Sequence, residues 1–424
     1  MYKKFILFLL LGMGCVNLSR AGGFKLGLQG VKQIGMGHTG VGFAQDAATI
    51  YFNPAGMSFI DNQFNLGINF LAPSTTYLDY YTNETTLATG NVYTPFSIYA
   101  KGNLSKKIAV GLGVYTPFGS GMNYPYEWTG RFVLTNINLN SFFIQPSLAL
   151  KLSPKMSLGF GYIIAAGKVV LEKDLPLQSY NTNEYAHAKL EGNAGGNGYN
   201  LGLYYNNHKK FQAGITYHSK VTMAVKKGEA TFSGVPTAAS ASFPYNNTFK
   251  TDLTLPSELA IGFSEKISQR VTAAFDFNYT YWKSYDYLSF DYGTNTALLT
   301  DSKSPRLYKN AWAIRGGLQA HFPKNVDVRV GAFYDKTPVQ DGYVAPELPD
   351  NNKLGLTGGI TYYVRKHFRL DASVLYENVA KREELNKESN MRGTYKTNVI
   401  CPGIGVSYFF SKKEKIVKRY KRRY

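Results

Sequence analysis

Between Gln63 and Phe410, apolar side chains recur at every second position. This constrains the fold more than any other feature, because period-two alternation belongs to strands whose two faces meet different solvents. FNLGINF sets Phe64, Leu66, Ile68 and Phe70 against Asn65, Gly67 and Asn69. VTAAFDFNYT sets Val271, Ala273, Phe275, Phe277 and Tyr279 against Thr272, Ala274, Asp276, Asn278 and Thr280. VDVRVGAF and FRLDASVL repeat the pattern, with Asp327, Arg329, Arg369 and Asp371 on the polar side. The spacing predicts fourteen strands, at 63–72, 91–101, 108–115, 139–150, 156–173, 198–206, 210–223, 247–265, 270–283, 306–321, 326–335, 354–364, 368–378 and 398–410.

The thirteen connections alternate in length. Long ones (73–90, 116–138, 174–197, 224–246, 284–305, 336–353 and 379–397) take turns with short ones such as KGNLSK, LSPK, NHK, ISQ, FPKN and RKH. An even number of antiparallel strands, short turns at one end and long loops at the other, is the construction of a bacterial outer-membrane barrel. Most strands reach the roughly 9–11 residues needed to cross at a tilt. Closure is required because lipid cannot satisfy an open sheet edge. The competing architecture is a secreted β-sandwich; the length of 156–173 and 306–321 and the alternation of loop lengths argue for the barrel.

The first residues, MYKKFILFLLLGMGCVNLSRA, combine Lys3 and Lys4 with an apolar run and small residues at Ser19 and Ala21, a secretory signal cleaved after Ala21. A lipoprotein signal using Cys15 is the alternative, weakened by Gly12. Cleavage leaves Cys401 alone, so no intrachain disulfide forms. No later segment has the ~18 uninterrupted apolar residues of a membrane helix. The net charge of +19 includes +3 from Lys3, Lys4 and Arg20 and +7 from the tail 411–424, leaving +9 elsewhere. The tail reads as a solvated extension, or as a contact for anionic phospholipid or cell-wall polymer. An exported chain has no use for nucleic acid, although basic clusters often signal it.

Gly35-Met-Gly-His-Thr-Gly40 spells G-x-G-x-x-G. A dinucleotide loop needs a buried strand before it and an acidic residue on a second strand after it, and neither is present. Residues 22–62 are rich in small residues and lack wall alternation, which suits a compact plug inside the barrel, where glycine permits tight turns and close backbone approach.

The opening GGFKLGLQGVKQIGMGHTGVGFAQDAATIYFNPAG, with its Asn53-Pro54-Ala55 signature, resembles the N-terminal hatch of the outer-membrane long-chain fatty-acid transporters, the OmpP1/FadL/TodX family. The likeness continues through SLGFGYIIAAGKVVLEK, LTLPSELAIGF, NYTYWKSYDYL, YKNAWAIRGGL, VRVGAFYDKTPV and GIGVSYFF, in order. It implies an all-β fold, a fourteen-stranded antiparallel transmembrane β-barrel (63–410) plugged by an N-terminal hatch (22–62), with a signal peptide (1–21) and a basic periplasmic tail (411–424). It further implies a monomer in outer-membrane lipid that needs no cofactor and passes long-chain fatty acids or other hydrophobic molecules down a gradient. Capture at extracellular loops precedes binding in an apolar cavity and release by hatch rearrangement.

The resemblance places a ligand-binding base at Lys173, where the family has arginine, and a second at Lys303 or Arg306. Phe24 and Leu26 would line the cavity and move with the hatch. A kink in the third strand, associated with lateral exit, would fall at Gly113 and Pro117, since proline cannot donate to a ladder. Loop 174–197 is shorter and more polar than the family's capture loop, which shifts capture to Phe232, Val235 and Phe243 or to Phe118, Tyr124, Tyr126, Trp128 and Phe132. Phe410 would supply the terminal aromatic used in assembly, although fourteen residues follow it. The six histidines form no metal-ligating spacing, and no carboxylate pair demands acid–base work, so the chain is not an enzyme. A water-filled porin and a loop-based adhesin or phage receptor remain the alternative readings.

Overall fold

The computed structural model describes residues 22–178, 185–323 and 325–410. The signal segment and the basic tail lie outside the described residues. The expected fourteen wall strands are present and close into a ring, several of them as two segments in line. They are β1 (Gln63–Asn69, Ala72–Asp79), β2 (Thr85–Leu87, Phe96–Asn103), β3 (Ile108–Tyr115, Gly119–Asn123), β4 (Asn136–Lys151), β5 (Met156–Gln178), β6 (Tyr185–Asn206) and β7 (Phe211–His218, Val221–Ser233). The ring continues with β8 (Asn246–Leu255, Glu258–Lys266), β9 (Val271–Thr280, Tyr287–Tyr292), β10 (Ser302–Pro305, Ala311–Phe322), β11 (Val326–Asp335), β12 (Lys353–Arg365), β13 (Phe368–Leu385) and β14 (Arg392–Phe409). Each pairs antiparallel with the next, and β1 closes on β14 with Gln63 opposite Phe409.

Several boundaries differ from the expected ones. The stretch 174–197 is largely ladder: β5 and β6 run on as one tall hairpin, with Glu172 opposite Lys189 and Leu175 opposite Ala186. Its polar composition misleads because this part of the wall stands above the lipid. Residues 224–233 are likewise strand. Pro256 interrupts the predicted strand 247–265, as a residue without an N–H must. Residues 306–310 lie outside the strand that was expected to begin at Arg306.

The two faces separate as the alternation requires. Leu158, Phe160, Tyr162 and Ile164 of β5 are exposed on the outside, while Ser157 and Ile163 on the alternate face are buried. Inside lies the segment 22–62, with the short helices α1 (Val31–Ile34) and α2 (Thr49–Phe52) and a 3-10 turn, Pro54–Phe59. Polar inward side chains of the wall become its partners. Asp276 of β9 accepts the Gly40 and Val41 N–H groups at 2.7 and 2.9 Å, and Ser157 donates to the Ala55 carbonyl at 2.7 Å. Lys32 lies 3.3 Å from Asp46 and 3.7 Å from Asp371 of β13.

The G-x-G-x-x-G sequence serves this packing. The α1 chain turns out of the helix through Gly37 and His38, both in the left-handed region (φ 66° and 64°). Glycine also recurs on the wall beneath the plug. A side chain at Gly159 of β5 would overlap the backbone of Pro54 and Ala55.

Candidate functional site

Above the plug, on the long-loop side, lies a cavity of about 90 Å³. Its walls are Leu139, Leu171, Met223, Leu253 and Leu288 from five strands, and Phe24 faces it from the N-terminal segment. Phe24 is held by rings: Trp282 at 4.9 Å, Tyr285 at 5.6 Å and Phe118 at 6.0 Å between centroids. Below Phe24 the surroundings turn polar, with Lys25 ion-paired to Glu258 of β8 beside Tyr51 and His218.

The cavity rim carries charge. Arg306 approaches Glu347 at 2.8 Å and Glu388 at 3.5 Å. Burial is the largest single influence and opposes the guanidinium charge, but Glu347, Tyr285, Tyr308 and Glu388 together hold the group above its ordinary range. Lys173, on the inward face of β5 beyond the lipid-facing band, is half-buried and has no ion pair among the described residues. Burial pulls its ammonium pKa down and nearby Glu388 only partly offsets this, so the net shift is downward. Glu388 thus pairs with Arg306 and acts electrostatically on Lys173. Lys303 does not join them: it is exposed on the Tyr287–Tyr292 and Ser302–Pro305 hairpin, over the Tyr287 ring at 4.2 Å.

The third strand breaks beside this cavity. Gly113 stays within the ladder, opposite Tyr99 and Gln145, and its missing side chain makes room for the Tyr99 ring and Ile50 of the plug. The interruption comes at 116–118, around Pro117. Beyond it the Gly119–Asn123 segment pairs with β4 and, among the described residues, has no ladder to β2. The freed backbone groups are taken by the N-terminus: Leu26 N–H donates to the Pro117 carbonyl at 2.8 Å, and Gly119 N–H to the Phe24 carbonyl at 3.1 Å. A recess of about 500 Å³ opens here, lined by Leu26, Tyr93, Pro95, Gly121 and Phe142. It shares Phe118, Ser120, Leu139, Glu347 and Leu348 with the apolar cavity.

Asn53, Pro54 and Ala55 lie deeper, against β5, β6 and β7. Asn53 caps the 3-10 turn by accepting from Ala55 N–H at 3.2 Å and donates to the Leu203 carbonyl at 3.0 Å.

Of the expected capture residues, Phe232 and Phe243 are buried in a second apolar cluster with Leu175, Leu190 and Phe249, which consolidates the tall loops themselves. Phe118, Tyr124 and Trp128 are also buried, the last two stacked at 3.8 Å, whereas Tyr126 is 74% exposed. The acids at the rim were not legible in the sequence. Glu347 and Asp350 come from APELPD, in a loop without alternation that folds back into the barrel, where Asp350 accepts the Gly23 N–H at 2.8 Å. The two prolines and paired acids of that loop are the only local hint.

Comparison with known proteins agrees with this architecture. Residues 15–410 match the family described as Outer membrane protein transport protein (OMPP1/FadL/TodX). A putative outer membrane protein of Neisseria meningitidis is 25% identical over 415 residues, covering 86% of this chain and 88% of its own. The long-chain fatty acid transport protein of Salmonella typhi is 22% identical, covering 84% of this chain and 87% of its own. Among solved structures, a Pseudomonas aeruginosa FadL homologue superposes with a TM-score of 0.80 at 17% identity, covering 92% of this chain and all of that one. The P. putida toluene transporter TodX does so with a TM-score of 0.72 at 17% identity, covering 90% and 98%. The plugged fourteen-stranded barrel and the match across almost the whole chain lead to one conclusion: this protein belongs to the OMPP1/FadL/TodX family of outer-membrane transport proteins.

Proposed function

We propose that the protein carries long-chain fatty acids or similar hydrophobic molecules into the wall of the outer membrane, by way of the apolar cavity and the break in β3. The observation that carries this reading is the contact between the two: cavity and recess share Phe118 and Leu139, and the recess reaches the exposed Phe142 on the lipid face. A cavity of about 90 Å³ is below the ~300–1,000 Å³ typical of ligand pockets. A long chain therefore has to extend into the recess or displace Phe24. Displacing Phe24 strains the backbone bonds between the N-terminus and 117–119, which couples ligand entry to opening of the wall. The route straight down is less suited to an apolar cargo, because it meets the Lys25–Glu258 pair and the plug.

Lys173 and Arg306 are the bases assigned to a ligand carboxylate, which would displace Glu388 from Arg306. Glu388 is 41% exposed and free to swing out. An unpaired half-buried ammonium is costly, and a carboxylate ligand relieves it. A second reading, uncharged hydrocarbons, is favoured by the Arg306–Glu347 pair, which already neutralises the stronger cation. Relatives of both descriptions exist in the family, a fatty-acid transport protein and a toluene transporter.

Binding of a long-chain fatty acid and its methyl ester to the detergent-folded protein and to Lys173→Ala separates these readings. Preference for the acid that disappears in the variant supports the carboxylate site. Equal binding of both in wild type moves the assignment to uncharged hydrocarbons. Binding of neither, with conductance to polar solutes, supports a porin.

A further inference from the structure

We propose that the short-turn end of the barrel is a binding site for anionic phospholipid head groups in the periplasmic leaflet of the outer membrane, built from one turn design used four times. This goes beyond the transport reading and does not depend on which molecule is carried.

In three of the short turns a serine hydroxyl accepts two consecutive N–H groups. Ser105 Oγ takes those of Lys107 and Ile108, both at 3.1 Å. Ser153 Oγ takes those of Lys155 and Met156, at 3.2 and 3.1 Å. Ser268 Oγ takes those of Arg270 and Val271, at 3.2 and 3.1 Å. The fourth turn substitutes asparagine: Asn207 Oδ1 takes the N–H groups of Lys209 and Lys210, at 2.8 and 3.0 Å. Local caps of this kind hold a turn without help from the rest of the fold. The residue two places after the cap is a base every time, Lys107, Lys155, Lys209 and Arg270, although the turn geometry makes no demand on that side chain.

All four bases are exposed, and none has an ion pair among the described residues. At the opposite end carboxylates are interleaved: Lys168 and Lys189 meet Glu191, and Lys250 meets Asp291. The residue just before each serine is a large apolar one, Leu104, Leu152 and Ile267, exposed by 70, 53 and 53%. These side chains continue the lipid-facing surface past the strand ends. An apolar residue beside a long base is the arrangement in which the stem lies along the acyl boundary and the charge reaches a phosphate. That continuity favours lipid over cell-wall polymer, which would leave Leu104, Leu152 and Ile267 in water.

The test uses the mature full-length protein in nanodiscs or mild detergent, with co-purified and added lipid counted by native mass spectrometry. Wild type is expected to retain phosphatidylglycerol in preference to phosphatidylethanolamine. Each base removed should weaken retention by about fivefold, the size of one lysine near an anionic surface, and K107Q/K155Q/K209Q/R270Q should abolish the preference. The control K168Q/K189Q/K250Q should keep it. Equal retention of the two lipids by wild type, or an unchanged preference in the quadruple variant, overturns the proposal. So does base-dependent binding of purified peptidoglycan without any phosphatidylglycerol preference. Should the quadruple variant fail to fold, judged by heat-modifiable gel mobility, K107Q and R270Q are measured singly, and unchanged retention in both overturns the proposal equally.

Discussion

Arg306 and Glu347 face each other at 2.8 Å on the wall of an otherwise apolar cavity, so the strongest cation near the ligand space is already engaged. On the proposed carboxylate site, a fatty-acid ligand would have to compete with Glu347 for it. Glu347→Gln is therefore expected to tighten binding of the acid by on the order of tenfold, the scale of one charge-assisted hydrogen bond, while the methyl ester is unaffected. Calorimetric titration of both ligands checks this, and a parallel change for acid and ester would assign Glu347 a purely structural role.

Lys173 gives the site a pH dependence of known sign. Its folded-state pKa is lowered, with burial as the main cause, so it loses its proton at a pH below the ordinary value of 10.5. The unfolded chain then binds more protons than the folded one between the two pKa values, and this group's contribution to stability rises with pH across that window. Carboxylate binding runs the other way. Affinity for the fatty acid should fall as pH rises through the lowered pKa, and the fall should be absent in Lys173→Ala and for the methyl ester.

Asp276 anchors the plug through the Gly40 and Val41 N–H groups. Asp276→Ala removes the one buried carboxylate oxygen that accepts both bonds and should cost about 3 kcal/mol, at ~1.5–3 for each bond to a charged group. The expected result is a lower melting temperature together with increased leakage of small sugars in a liposome-swelling assay. Unchanged leakage would show that other contacts seat the plug.

Gly159 tests the fit from the wall side. Gly159→Val drives its side chain into the Pro54–Ala55 backbone, which cannot yield without moving the 3-10 turn. The barrel should still assemble but with the plug displaced, read as higher single-channel conductance. Leu158→Val, on the lipid face next to it, should leave conductance unchanged.

Phe24→Ala removes a ring packed against Trp282, Tyr285 and Phe118. The loss should lower stability by about 3–5 kcal/mol, as for other buried phenylalanines, and enlarge the cavity. Faster equilibration of a fluorescent fatty-acid analogue into the bilayer is expected, and slower equilibration would place Phe24 in ligand binding rather than in gating.

Sequence reading succeeded where one physical contrast repeats. Lipid outside and a polar plug inside impose the same choice at each residue of each strand, so FNLGINF and VDVRVGAF report their faces directly. It failed at 174–197, the upper part of the tall hairpin, because above the bilayer both faces of the wall can be polar and the alternation fades. It also misread Phe232 and Phe243 as capture residues, since burial in a satellite cluster and exposure at a surface have the same composition.

The alternation and the rhythm of long and short connections by themselves determined a closed fourteen-stranded barrel, and the small residues of 22–62 determined that something compact would fill it. The tertiary structure alone decided which charges meet. Lys303 and Arg306 are near neighbours in the chain, yet one ends on an exposed hairpin and the other at the cavity rim. Glu347 and Glu388 reach Arg306 from separate loops that carry no periodic pattern. Period two is written locally because each residue meets its solvent independently, whereas an ion pair between loops depends on how the closed wall brings distant segments together.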